Sequence, residues 1–196
     1  MKRSPLALGV AGIGLLALAV AYYHFEVAPR IRTGRLAGHY ADPATRPEVG
    51  GFRFETRRGV EGIGGYSGRV VVIDVWASWC APCVEGIPRL VALAERFRDA
   101  PFDLVGLSVD RGGWEDIEPF LERHPEINYE VAVPHSLPIF HLYTLVDLDP
   151  LGDVAVLPTF FVIDGRGRLA GKFVGSDTLP EVSALVARLL EEISDV

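Results

Sequence analysis

Val70-Val-Val-Ile-Asp-Val-Trp76 runs through Ala77-Ser-Trp79 into Cys80-Ala-Pro-Cys83. Val70 to Val75 is nearly all β-branched, the composition of a central strand covered on both faces. The Cys-x-x-Cys falls where a helix should begin. Two thiols at that spacing can close a disulfide within one helical turn, and a helix N-terminus makes the first of them acidic and reactive. These are the only two cysteines of the chain. The stretch predicts a strand–turn–helix unit and thiol–disulfide chemistry.

The flanking sequence extends this unit. After Cys80, apolar positions at Cys83, Ile87, Leu90, Ala94 and Phe97 mark one face of a helix, with Pro88 expected to kink it. Leu104 to Val109 reads as a second apolar strand ending at Asp110. Trp114 to Arg123 reads as a helix with Ile117, Phe120 and Leu121 inward, and Tyr129 to Val133 as a short strand. Phe160–Ile163 and Leu169–Val174 are two strands joined by the turn Asp164-Gly-Arg-Gly. Leu179, Val182, Leu185, Val186, Leu189 and Ile193 share a face of a last helix. Upstream, Phe52-Arg-Phe54 alternates like a short strand, and the five glycines of Gly59 to Gly68 suit a turn or hairpin. They lack the Gly-Lys-Ser/Thr ending of a phosphate loop. Ile139 to Val146 reads as a helix. Asp147, Asp149 and Asp153 are spaced like loop ligands but lack the Gly and Glu of a Ca²⁺ loop, so a solvated loop is expected.

At 196 residues, the chain suits one domain of about 150 residues with an appendage. Such a domain folds without disulfide staples, which favours a catalytic use of the two cysteines. With 26 acidic and 19 basic residues the net charge is −7. Basic patches with interleaved aromatics are absent, and no nucleic-acid partner is expected. Lys2 and Arg3 precede an uncharged apolar stretch from Ser4 to Phe25. This is an export signal long enough to span a bilayer, which takes about 20 residues. Ala17-Leu-Ala19 and Ala19-Val-Ala21 could be cleavage sites, leaving a soluble exported protein. An uncleaved anchor is favoured, because the run passes both sites and ends in interfacial Tyr22 and Tyr23. The organisation expected is a signal anchor or signal peptide over 1–26, a linker or lead-in over 27–50, and a folded domain over 51–196.

The order βαβα then ββα around a Cys-x-x-Cys resembles the thioredoxin fold, an α/β architecture with a central mixed β-sheet flanked by helices. Here a transmembrane or signal helix would precede it. Trp76-Ala-Ser-Trp79-Cys80-Ala-Pro-Cys83 with Pro88 resembles the membrane-linked TlpA/ResA/CcmG-like thiol–disulfide oxidoreductases. Leu157-Pro158-Thr159-Phe-Phe-Val-Ile-Asp164 resembles that family's cis-proline segment and following strand. Leu104-Val-Gly-Leu-Ser-Val-Asp110 resembles its second core strand. The resemblance covers roughly Gly51 to the C-terminus. One departure is Gly86, where the family often carries Glu three residues after the second Cys; Glu85 would point about 100° away on a helix. Another is the connection from Pro134 to Val156, which is longer than usual.

The resemblance implies a set of site residues. Cys80 is the nucleophile, in the exposed first position of the helix, and Cys83 is buried one turn in and resolves the mixed disulfide. Asp74 lies on a strand that reads as fully buried, where a lone carboxylate must rise in pKa or find a partner. It stands six residues before Cys80, like the buried acid of thioredoxin, which implies proton transfer with Cys83. Pro158 should follow a cis peptide and lie against the pair, leaving the Leu157 backbone free to pair with a client peptide. Trp79, Ala81, Pro82, Leu157 and Thr159 form the implied substrate-binding rim. Trp76 and Trp79 are expected to pack, Trp79 also serving as docking surface.

No metal site and no cofactor beyond the redox disulfide are expected: a second Cys pair and paired zinc-finger histidines are missing. The implied function is an extracytoplasmic protein-disulfide reductase, anchored in the cytoplasmic membrane with its domain in the periplasm or an equivalent space. Its clients would be disulfide-bearing proteins such as apocytochrome c or copper-site assembly proteins. Its reductant would be a thiol-reducing electron donor in the membrane. The alternatives are a disulfide oxidase or isomerase, and a non-catalytic Cu(I)-binding chaperone. Soft thiolates suit Cu(I), although the only methionine is Met1.

Overall fold

The β-branched run forms the middle of the molecule. The computed structural model describes residues 38–40, 42–135, 139–141, 145–148 and 151–194, all within one compact unit, Leu36–Val196. In chain order its elements are β1 (Gly38–His39), β2 (Arg53–Thr56), β3 (Gly59–Gly62), β4 (Val70–Trp76), α1 (Ala81–Arg96), β5 (Phe102–Ser108), α2 (Trp114–Arg123), β6 (Glu130–Pro134), β7 (Ile139–His141), β8 (Leu145–Leu148), β9 (Gly152–Val154), β10 (Thr159–Ile163), β11 (Leu169–Val174) and α3 (Leu179–Ser194). The signal segment expected over 1–26 lies outside the described residues. No helix among the described residues is long and apolar enough to cross a membrane.

The main sheet has the order β1-β11-β10-β4-β5-β6-β2-β3. β4, β5 and β6 run parallel; β10 and β2 join them antiparallel, giving the mixed sheet expected from the sequence. Every residue of β4 is buried, because it has a strand on each side and a core on each face. Up to Val75 its side chains alternate between those cores, as the two-residue period of a strand requires, and Trp76 at the strand's end joins the core of Val75. Val71, Ile73 and Val75 join Ile117 and Phe120 of α2, and Val70 and Val72 join Leu90 and Leu93 of α1 and Val182, Leu185, Val186 and Leu189 of α3. Asp74 shares the strand face of Val70 and Val72. α1 continues through Pro88 as one helix, with Leu121 of α2 only partly buried.

The segment read as a lead-in is stitched to the sheet from Gly38 onward. β1 pairs with β11, and Val49 N–H donates to the Gly167 carbonyl at 3.0 Å. The fully buried Arg46 side chain reaches Asp164 at 3.0 Å and Glu192 at 2.8 Å. Asp164 also accepts the N–H groups of Arg166 and Arg168, closing the β10–β11 turn. Gly167 completes that turn with φ at +73°, a conformation that suits a residue without Cβ.

The connection before Pro158 corrects two expectations. The helix read at 139–146 and the solvated loop read at 147–153 are replaced by a small antiparallel sheet, β7-β8-β9, in which Asp147 pairs with Asp153. A short apolar run cannot be assigned to helix or strand by periodicity alone. An eight-residue helix would leave most of its backbone groups unpaired at its ends, whereas a ladder pairs them across strands. Asp149 lies outside the described residues.

Candidate active site

β4 delivers the chain into a tight turn. Cys80 N–H donates to the Ala77 carbonyl at 3.0 Å, with Ser78 and Trp79 at the turn's two central positions. Cys80 is the N-cap of α1 in extended conformation, and its carbonyl accepts the N–H groups of Cys83 at 3.0 Å and Val84 at 3.1 Å. Pro82 sits in the first turn, where a missing N–H costs nothing. Cys80 and Cys83 are joined as a disulfide with Cα atoms 5.3 Å apart. The expectation of an exposed Cys80 in the first helical position is corrected here. It caps the helix, and in the oxidised state it is only 6% exposed, close to the 4% of Cys83. Exposure belongs instead to the residues around it: Trp79 is 70% exposed, and Ala81 and Pro82 are exposed too. Trp79 is thus a surface residue rather than a packing one, while Trp76 is buried against Phe120 with ring centroids 5.1 Å apart.

The Leu157–Pro158 peptide is cis. Thr159 pairs in register with Val75, so Pro158 lies at the end of β4 from which Cys80 follows. The Pro158 carbonyl is taken by Gly175 N–H at 2.9 Å, and no partner for the Leu157 backbone is found among the described residues. Leu157 packs partly buried against the cluster that holds both cysteines. Thr159, expected in the substrate rim, is 1% exposed, and its hydroxyl donates to the Val156 carbonyl at 2.6 Å. Its side chain braces the bend from inside and presents nothing to a client.

Asp74 is buried at 2% exposure, and its Oδ1 has no hydrogen-bond partner among the described residues. Desolvation pushes its carboxyl up to about 8, because burial penalises the charged form. Burial, and then the Asp74 carboxylate, push the Tyr129 phenol well above its ordinary value. Trp76 Nε1 is the other buried polar side-chain atom without a partner among the described residues. Gly86 is buried in α1 and supplies no acid. Among the described residues the other buried carboxylates are Asp110 and Asp164, both held by hydrogen bonds. Asp74 Oδ1 is thus the buried carboxylate oxygen without a hydrogen-bond partner among the described residues. No group of three or more His, Cys, Asp or Glu that could hold a metal occurs among the described residues.

From the sequence alone Asp110 reads only as the end of a strand. In the structure it binds the turn before Cys80, accepting Ser78 N–H and Ser78 Oγ at 2.8 Å each. The available signal was positional. Asp110 follows a strand parallel to β4, and groups just past the carboxyl ends of adjacent parallel strands converge.

The mixed sheet, the helix-capping disulfide and the cis-proline bend beside it define a thioredoxin-like thiol–disulfide protein. Residues 63–172, more than half of the chain, match the AhpC/TSA family, and the chain belongs to it. Among curated proteins it is similar to thiol-disulfide oxidoreductase ResA of Bacillus cereus, 22% identical over 62% of this chain and 64% of that protein. It is also similar to the thiol:disulfide interchange protein HelX of Rhodobacter capsulatus, 27% identical over 65% of each. The chain thus spans just under two thirds of the length of these relatives. Among solved structures, a thioredoxin-family thiol:disulfide interchange protein of Chlorobium tepidum matches at 25% identity and TM-score 0.58, over 76% of this chain and 99% of that one. A DsbF homologue of Corynebacterium diphtheriae matches at 25% identity and TM-score 0.60, over 78% and 94%. The expected resemblance to the ResA-like group holds.

Proposed function

We propose that the chain is a protein-disulfide reductase acting outside the cytoplasm. The observation that carries the reading is the Cys80–Cys83 disulfide at the N-terminus of α1, rimmed by the exposed Trp79. In the reduced protein the Cys80 thiolate, favoured by the free N–H groups of the helix start, attacks one sulfur of a client disulfide. A Cys80–client bond forms, the client S–S bond breaks, and the first client sulfur leaves as a thiolate that takes up a proton. Asp74 in its ionised form, whose share grows as pH rises toward about 8, accepts the Cys83 proton. The Cys83 thiolate then attacks Cys80 Sγ, re-forming the Cys80–Cys83 bond and expelling the second client thiolate. The client gains two electrons and this protein loses two. Leu157, whose backbone has no partner among the described residues, offers a line along which an extended client can lie, with Trp79, Ala81 and Pro82 beside it.

The apolar Ser4–Phe25 stretch supports attachment to the cytoplasmic membrane with the domain on its outer side. In such an oxidising compartment a reductase has to be recharged, so a thiol-reducing membrane donor is its second partner. Pro82, as in reducing thioredoxins, favours reduction over oxidation, and apocytochrome c and copper-site assembly cysteines are the client class. The test mixes the reduced full chain, without other thiols, with a disulfide-closed Cys-x-x-Cys-His peptide. Free client thiols should appear in step with the Cys80–Cys83 disulfide; a disulfide that stays closed would contradict the proposal.

A further inference from the structure

We propose that Asp110 is a positioning residue for Cys80: its carboxylate clamps the turn that carries Trp79 and the nucleophile, and holds that turn when the disulfide opens. The inference rests on the thiol–disulfide reading of Cys80 and adds to it a residue outside the Cys-x-x-Cys.

Asp110 lies just past β5, 8% exposed. Its Oδ2 accepts Ser78 N–H at 2.8 Å and Ser108 Oγ at 2.7 Å, and its Oδ1 accepts Ser78 Oγ at 2.8 Å. The carboxylate is itself held in place, because Asp110 N–H donates to Ser108 Oγ at 3.1 Å and Val109 N–H to the Trp76 carbonyl at 2.9 Å. Bonds to an ionised acceptor are short and strong. Ser78 occupies the first central position of the Ala77–Cys80 turn, where a backbone N–H has no main-chain partner within the turn. Asp110 supplies that partner from the neighbouring strand.

The clamp acts unequally over the redox cycle. In the oxidised protein Cys80 is fixed twice, by the turn and by its covalent bond to Cys83. Reduction removes the second restraint. The turn then has to hold the thiolate over the N–H groups of α1, where the helix dipole stabilises it, and in line for attack. Loosening Ser78 is felt chiefly by the reduced form. Asparagine can keep the arrangement: its carbonyl oxygen at the Oδ2 position accepts Ser78 N–H and Ser108 Oγ, and its amide donates to Ser78 Oγ, which turns from donor to acceptor.

The test uses the full chain and the variants Asp110→Ala, Asp110→Asn and Ser78→Ala. Two quantities are read on reduced protein: the pH profile of Cys80 alkylation by iodoacetamide, and the rate of exchange with oxidised glutathione. Asp110→Ala should slow exchange about tenfold or more and move the alkylation profile to higher pH, since misplacement of a reacting group costs rate steeply. Ser78→Ala should shift both in the same direction by less, and Asp110→Asn should return both most of the way to wild type. A merely structural Asp110 would lower the melting temperature and leave the profile where it was. Wild-type rate and profile in Asp110→Ala overturn the proposal. Should that variant not fold, a wild-type profile in Ser78→Ala overturns it alone. Failure of the wild-type chain itself to exchange would instead strike the thiol–disulfide reading, and the alkylation profiles would still decide the clamp.

Discussion

Asp74 stands beside Gly106 in the parallel register of β4 and β5, and a Cβ on Gly106 would lie 3.1 Å from Tyr129 Cε2 and 3.2 Å from Trp76 Nε1. The bare backbone at Gly106 is what allows two rings to close next to a buried acid. Neither ring is the flexible end of a long side chain, so neither can give way easily. Gly106→Ala should therefore destabilise the protein by about 1–3 kcal/mol, the usual cost of overpacking a core. Urea unfolding reads this as a lower midpoint at unchanged slope; an unchanged midpoint would mean that the rings have room to move.

The buried acid carries its own signature in pH. Its carboxyl titrates at about 8 in the folded protein and at about 4 once unfolded. Between those values the folded state holds a proton that the unfolded chain has released. Stability attributable to this group is thus fully present below about pH 4 and declines as pH rises through about 8. Asp74→Asn removes the decline. The variant should gain on wild type by on the order of a few kcal/mol between pH 5 and pH 8. Unfolding curves at the two pH values check this, and a gap that stays constant would refute the raised value.

The same substitution should slow disulfide exchange by removing the proton acceptor for Cys83, while Cu(I) affinity, which depends on the thiols, stays nearly unchanged. Undiminished exchange in Asp74→Asn would remove Asp74 from the mechanism.

At the opposite end of the sheet, Asp164 shows the reverse sign. Burial alone would raise its carboxyl, but hydrogen bonds from Arg46, the Arg168 and Arg166 backbones and the Arg168 side chain more than offset this and hold it below the usual range. Its contribution is present above about pH 4 and lost as pH falls through the lowered value. Arg46→Ala should cost about 3 kcal/mol, since it strips one partner from a buried carboxylate and leaves Arg168 as the other. A loss within the range of a surface ion pair, about 1 kcal/mol or less, would show that Arg168 suffices.

The trapping variant tests the division of labour between the thiols. Cys83→Ser should accumulate a mixed disulfide with a client peptide, visible on a non-reducing gel, and Cys80→Ser should form none. Equal trapping by both would mean that either thiol can attack.

The sequence carried the main line of the fold because its central elements are written in single-period patterns. Val70 to Val75 could only be a covered strand, and the 114–123 helix matches its predicted bounds. The 139–153 region was not legible, since short apolar runs interrupted by Asp fit helix, loop and strand alike until a partner strand is known. Within the site, the cysteines were visible as a motif, and the cis-proline only through the family resemblance. Asp110 was not: its role comes from which strand lies beside β4, a tertiary fact. The burial of Cys80 was not legible either, since it depends on the core cluster that its side chain joins, which no local pattern shows.

In the proposed reaction electrons flow from this protein to its client, and the reduction potential of the Cys80–Cys83 pair in the full chain decides that direction. A reductase should equilibrate below about −210 mV, toward the value near −270 mV of thioredoxin. A potential near about −120 mV, that of a strong disulfide oxidant, would reverse the direction of the reaction and make the protein a disulfide donor.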